Sequence, residues 1–242
     1  MNRKYIKLFA FVSAAALTLS FLVGCSFKTN TAASPDVSAP ETAVSPSTVP
    51  ASPVPSVNKK DIEDALALYG ESVIDITWAP DNSAVVFIKL TGDTSNIYLW
   101  KVGTDAEKSL MAAEPTTDGF LWSPNSKYFL VNVGHMGPGT ITSTLFNAES
   151  MELISSDIST ASISPPVWSP DSRFLALSSW ADYKTAELLT FAVASKTTVS
   201  LVKSSNSFGP YVVETWGEDN IIKYTEMTSS SDRAEKTIEL GE

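Results

Sequence analysis

The chain has 242 residues, with 17 basic against 27 acidic side chains, a net charge of −10, one histidine and one cysteine. An acidic excess of this size excludes broad contact with nucleic acid or an anionic lipid surface. A single cysteine excludes any disulfide within a monomer.

The first 24 residues read as a leader. Arg3, Lys4 and Lys7 precede a mostly apolar stretch from Leu8 to Val23, and the stretch ends at Leu22-Val23-Gly24-Cys25. Charged then apolar is the order of a secretory signal. Leu three places before a Cys and Gly one place before it resembles the lipobox of bacterial lipoproteins. The resemblance implies cleavage before Cys25, acylation of its thiol, and a lipid-anchored position in a bacterial cell envelope, facing outside the cytoplasm. Removing residues 1–24 takes away three basic residues and no acidic one, so 17 against 27 becomes 14 against 27 and the net charge moves from −10 to −13. The lipid, not the protein surface, is then what meets the membrane.

Residues 25–57 form a linker. Pro35, Pro40, Pro46, Pro50, Pro53 and Pro55 are spaced by Ser, Thr and Ala. Too few large apolar side chains are present to offset the entropy of ordering, so the segment is expected to be disordered. Proline biases it toward extended polyproline II, at roughly 3 Å per residue, which gives a maximal reach on the order of 100 Å. It is a spacer between membrane and domain.

Residues 58–70, "NKKDIEDALALYG", predict a short helix: Ile62, Ala65, Leu66 and Tyr69 recur at helical spacing, Asn58 caps the start and Gly70 ends it. Three turns are marginal alone, so the helix is expected to dock as a plug on the domain that follows, residues 71–242.

That domain repeats. Trp78, Trp122 and Trp168 are each followed by Ala or Ser, then Pro80, Pro124 or Pro170, then Asp81, Asn125 or Asp171; a degraded fourth copy surrounds Trp216. Spacings near 45 residues match propeller blades. Pro presets φ at the second position of a tight turn, and Asp or Asn suits the third. Each signature lies between two strand-like runs, such as "VIDITW" and "AVVFI", and two more runs complete a four-stranded meander. In the last unit "KTIELGE" leaves no room for an outermost strand. The expected fold is all-β: a propeller of about four four-stranded blades, for which a closed ring, an open arc and a ring completed by a second chain are all compatible with the sequence.

At these residues the sequence resembles the TolB-like propeller repeat, Trp-Ser-Pro-Asp-Gly, over roughly residues 71–242. The family's Gly is replaced by Asn82, Ser126, Ser172 and Asn220, and the fourth copy lacks Pro. The resemblance implies binding of a partner or ligand, an envelope protein or a polar molecule.

An up-and-down meander places the turns after strands one and three on one face and the loops after strands two and four on the other. The first face carries short turns only. The second carries "GHMGPGT", "SWADYKT" and "MTSSSDR", with the inter-blade loops "SDISTASISPP" and "SSNSFGPY". Binding residues concentrate in loops on a rigid scaffold, so the candidates are His135, Met136, Trp180, Asp182, Tyr183, Lys184 and Phe208.

No catalytic motif stands out. His135 has no second His or Cys to complete a metal site, and no nucleophile elbow or phosphate-cradling loop is present, so neither metal nor cofactor is expected. The alternative is a carbohydrate-acting hydrolase with two carboxylates on the long-loop face. A carboxylate pair about 5–10 Å apart in a pocket favours it, and an aromatic, carboxylate-poor rim favours binding.

If Cys25 is the acylated residue, Cys25→Ala leaves an unprocessed, unacylated precursor, detectable by gel mobility and labelled-lipid incorporation. Wild-type processing of the variant would show that Cys25 is not the anchor.

Overall fold

A computed structural model describes residues 56–134, 139–180, 182–205 and 208–240. Cys25 and the leader, the linker through residue 55, and His135 and Met136 lie outside the described residues.

The helix, α1 (Lys59–Tyr69), starts with a reciprocal cap. The Asp61 amide donates to Asn58 Oδ1 at 3.1 Å, and the Asn58 amide donates to Asp61 Oδ2 at 2.9 Å. Two otherwise orphaned N–H groups are thereby satisfied. Gly70 ends the helix at φ 56°, a left-handed conformation that glycine takes at low cost.

Four antiparallel meanders follow, each pairing its strands in chain order. The first sheet is β1 (Val73–Trp78), β2 (Ala84–Thr91), β3 (Thr94–Lys101) and β4 (Lys108–Ala112). The second is β5 (Thr117–Trp122), β6 (Tyr128–Gly134), β7 (Thr140–Asn147) and β8 (Leu153–Ala161). The third is β9 (Val167–Trp168), β10 (Phe174–Ser179), β11 (Thr185–Ala192) and β12 (Thr197–Ser205). The fourth has three strands, β13 (Val212–Trp216), β14 (Ile221–Met227) and β15 (Arg233–Glu239). This is the propeller-blade architecture expected from the repeats, with the last blade one strand short.

The second strands explain why the sheets stack. In β2, Val86 and Ile88 face the second sheet together with Ile97, Leu99, Trp122 and Phe129. Val85 and Phe87 point the opposite way, into a cluster with Ile62 and Leu66 of α1. Successive side chains alternate between faces, so a continuous apolar run needs a neighbour on each side. Further cores join the second sheet to the third through Leu130, Leu145, Trp168 and Leu175. The third meets the fourth through Leu188, Tyr211, Trp216 and Tyr224. No core cluster joins the fourth sheet to the first, and the arc is open.

The two ends of the arc are finished differently. Helix α1 covers the apolar end, where Lys59 Nζ lies 4.8 Å from the Trp78 ring centroid and donates to Asn82 Oδ1 at 2.7 Å. At the other end Ile222 and Tyr224 face inward. The strand registers therefore put Thr215, Lys223, Glu235, Thr237 and Glu239 on the outer face of the fourth sheet, with Val212, Ile221 and Met227 and the buried Thr225 on the same side. A polar outer face is what the terminal unit of a stacked array requires.

The signature residues tie neighbouring blades. Trp122 Nε1 donates to the Thr77 carbonyl at 3.2 Å, and Trp168 Nε1 donates to the Leu121 carbonyl at 3.5 Å. The Pro turns close through Asn82, Ser126 and Ser172 amides donating to Ala79, Ser123 and Ser169 carbonyls at 2.9, 3.0 and 2.9 Å. Asn82, Ser126, Ser172 and Asn220 all hold φ between 58° and 63°, a left-handed conformation that glycine adopts at the least cost. Serine adds what glycine lacks. Ser126 Oγ accepts from the Asp81 amide and Ser172 Oγ from the Asn125 amide, each at 3.1 Å and each across a blade boundary.

Sequence reading starts the second inter-blade loop at Ser156, whereas β8 continues to Ala161. Ile158 and Thr160 cause the extension by burying their side chains. Thr160 Oγ1 donates to the Ser164 carbonyl at 2.8 Å and accepts from the Ser178 amide at 3.0 Å. Ser164 Oγ accepts in turn from the Val213 amide at 2.9 Å, so one small polar network links the second, third and fourth sheets.

Trp122→Ala and Trp168→Ala each remove a buried, hydrogen-bonded indole and should destabilise by about 3–5 kcal/mol in chemical unfolding. Trp216 is equally buried, but its Nε1 has no partner among the described residues. Its removal relieves an unpaired donor, and Trp216→Ala should cost less. Equal and small losses at all three would mean that the repeat tryptophans are not core elements.

Candidate ligand-binding site

The loops that follow second and fourth strands converge on one side of the third blade. Loop 180–184, between β10 and β11, is fastened by Asp182. Its Oδ1 accepts from the Lys184 amide at 2.9 Å and the Thr185 amide at 2.7 Å, and its Oδ2 accepts from Thr185 Oγ1 at 2.8 Å. The Tyr183 amide donates to the Trp180 carbonyl at 3.1 Å. Those bonds hold Tyr183 at φ 55°, an uncommon conformation for a bulky side chain.

The outcome is an aromatic corner. The Trp180 and Tyr183 rings meet edge to face, with centroids 5.1 Å apart and planes at 72°. Trp180 is half-buried and packs on the core between the third and fourth sheets, so it stands on rigid structure. Tyr183 is 60% exposed.

Below this corner lies a cavity of about 470 Å³. Its walls are Trp180, Tyr183 and Phe208, with Ala161 at the end of β8, Ser162 and Ile163 from the inter-blade loop that follows it, Gly209 and Pro210 from the next, Met227 at the end of β14, and Gly139 and Thr140 entering β7. The volume falls in the range of about 300–1,000 Å³ typical of small-ligand pockets. Gly209 permits a close approach: a Cβ there would lie 2.5 Å from Met227 Sδ. None of the lining residues is an Asp, Glu, Lys or Arg. Among the described residues no group of three or more His, Cys, Asp or Glu side chains is placed to hold a metal ion.

The structure thus brings together Trp180, Tyr183 and Phe208. Asp182 is adjacent but turns its carboxylate into its own loop, and Lys184 is exposed on the same loop without lining the cavity. His135 and Met136 lie outside the described residues. Ile163, Pro210 and Met227 were not singled out by sequence. Their signal was available, because each is an apolar residue inside or beside a loop of Ser, Thr and Gly. A smaller cavity of about 260 Å³ lies on the short-turn side, between Asp171, Arg173, Trp216 and Asn220. Arg173 Nε donates to Asp171 Oδ2 at 2.5 Å there. Its walls are the repeat signature itself, a structural assignment.

No protein-family model matches the chain, and no curated protein matches it in sequence. Solved structures do resemble it. Prolyl oligopeptidase B from Galerina marginata is similar at 14% identity with a TM-score of 0.52, over 77% of this chain and 31% of that one. The β-propeller domain of the trilobed protease from Pyrococcus furiosus, described as having an open velcro topology, is similar at 16% identity and a TM-score of 0.49, over 71% and 55%. TolB from Acinetobacter baumannii is similar at 13% identity and a TM-score of 0.42, over 69% and 41%. The last two scores are too low to carry an argument. The first is a likeness of fold alone, and the chain spans less than a third of that peptidase's length.

The Asp182 carboxyl is pulled down to about 2, first by the Lys184 backbone N–H and then by the Thr185 hydroxyl and backbone N–H. A carboxyl depressed in the folded state stabilises its loop fully above its ordinary value near 3.8, and that contribution is lost as pH falls toward 2. The Asp182 carboxyl carbon should therefore titrate by NMR with a midpoint near 2, and the Trp180–Tyr183 contact should loosen only below about pH 4. A midpoint at the ordinary value would show that the loop is not held by this carboxylate.

Proposed function

We propose that this chain is a non-catalytic binding module of the bacterial cell envelope, anchored by lipid on Cys25 and engaging its partner through the long-loop face of the propeller. The anchor rests on the leader and its lipobox. Among the described residues no helix is long and apolar enough to cross a membrane, so they supply no helical span of their own.

The observation that carries the binding assignment is the composition of the cavity. Three aromatic rings from two loops, Trp180 and Tyr183 from one and Phe208 from the other, line it together with Ile163 and Met227, and among the described residues no carboxylate does. A glycoside-cleaving pair needs two carboxyl groups facing one bond, and among the described residues the walls hold none. The same aromatic side chains suit a recognition surface, where Trp and Tyr contribute large contact area on few rotatable bonds.

Changing Trp180 and Tyr183 together to Ala should leave the melting temperature within a few degrees, because Tyr183 is 60% exposed and Trp180 packs on the core only with its half-buried side, and should abolish crosslinked capture of the cellular partner. The opposite-face variant Asp105→Ala with Glu149→Ala should capture normally. A double aromatic variant that folds and still captures its partner would place the binding face elsewhere.

A further inference from the structure

Tyr183 occupies a position that its backbone disfavours. It is the only aromatic residue among the eight described non-glycine residues with positive φ. The Asp182 bonds and the Tyr183 amide bond to Trp180 impose that conformation, and glycine or asparagine would meet it with less strain. The ring is 60% exposed and so adds little to the core. Strain kept by surrounding hydrogen bonds marks functional positions more often than structural ones. Ile163 and Phe208 are also about half exposed, at 51% and 49%, and both line the same cavity. Convergence of exposed apolar side chains on one concavity is the signature of a ligand site rather than of scattered surface hydrophobes.

The walls also state what enters. A charged group in this cavity would be desolvated with no oppositely charged side chain among the lining residues. The net charge of −10 adds a field that opposes anions. The Trp180–Tyr183 corner presents ring faces and edges at 72°, and flat rings pack on both by offset or edge-to-face contact.

We propose that the cavity between loops 162–166, 180–184 and 208–211 binds an uncharged, ring-bearing apolar ligand, with Tyr183 as its specificity-determining wall. This deepens the binding assignment above and rests on it for its biological setting only.

Two probes test it. N-phenyl-1-naphthylamine is neutral, and 1-anilinonaphthalene-8-sulfonate is the same skeleton with one sulfonate. Each is titrated into the full chain and excited through tryptophan, so that probe dissolved away from the protein stays dark. The neutral probe should saturate one site and bind at least about tenfold tighter than the anionic one. Tyr183→Gly should weaken the neutral probe at least about fivefold while the melting temperature stays level or rises, and Trp180→Ala should weaken it as well. No saturable neutral-probe signal, equal affinities for the two probes, or wild-type affinity in a folded Tyr183→Gly variant would each overturn the proposal. Partner capture separates the two assignments. Capture lost in the double aromatic variant, with no neutral-probe binding by wild type, retains the face and rejects this ligand class. Probe binding with capture undisturbed retains this site and rejects the face.

Discussion

A sheet with apolar side chains on both faces cannot stand alone in water, and that constraint governs this molecule. Val85 and Phe87 point one way from β2 while Val86 and Ile88 point the other, and β6 and β10 repeat the pattern. Each of the first three sheets therefore needs a neighbour on both sides. The repeat tryptophans and the turn serines set the spacing at which the neighbours meet, by hydrogen bonds across the blade boundary from Trp122, Trp168, Ser126 and Ser172. The turn that orients each blade is thus also the clasp that holds the next.

An arc that does not close has to satisfy the same constraint at its ends, and the two solutions differ in chemistry. At the first blade, α1 stands where a preceding blade would be: Ile62 and Leu66 supply the apolar contact, and Lys59 reaches both Trp78 and Asn82. Behind it Lys89 joins Glu107 at 2.8 Å and lies 3.9 Å from the Tyr69 ring centroid, pinning the far end of the helix. Burial is the largest single influence on Glu107 and opposes its ionisation, but the bond and charge of Lys89, the backbone N–H and the Tyr69 hydroxyl together outweigh it and hold that carboxyl below its ordinary range. At the fourth blade no cover is needed, because its outward side chains are chiefly Thr, Lys and Glu.

Much of this was legible in the sequence because the signals were local and repeated. The Pro-Asp turns, the 58–70 helix with both its caps, the count of four blades and the missing last strand follow from residue type and spacing. The substitutions for the family's glycine read as losses, whereas Ser126 and Ser172 contribute bonds that glycine could not. That gain depends on a backbone amide 45 or 47 residues away and leaves no local trace. The extension of β8 was missed for the same reason, since Thr160 finds its partners on the third blade. At the candidate site, loop length grouped Trp180, Tyr183 and Phe208 on one face, and the structure brings the three together around one cavity. Ile163 and Met227 join them only through the stacking angle of separate blades, and the inward turn of the Asp182 carboxylate is decided by the amides of its own loop.

The clasps made by Trp122, Trp168, Ser126 and Ser172 run in one direction, whereas Thr160 and Ser164 reach forward to later blades. In the Trp and Ser pairs the side chain belongs to the later blade and the backbone group it meets belongs to the earlier one. A nascent chain emerging from its N-terminal end therefore always presents a finished template to the unit that follows, and each new sheet closes on something already built. Nearest-neighbour stacking lets such growth proceed stepwise. Helix α1, first in the described chain and seated on the first sheet, is the point from which that sequence of closures can begin, which gives a short surface element a role in time as well as in space.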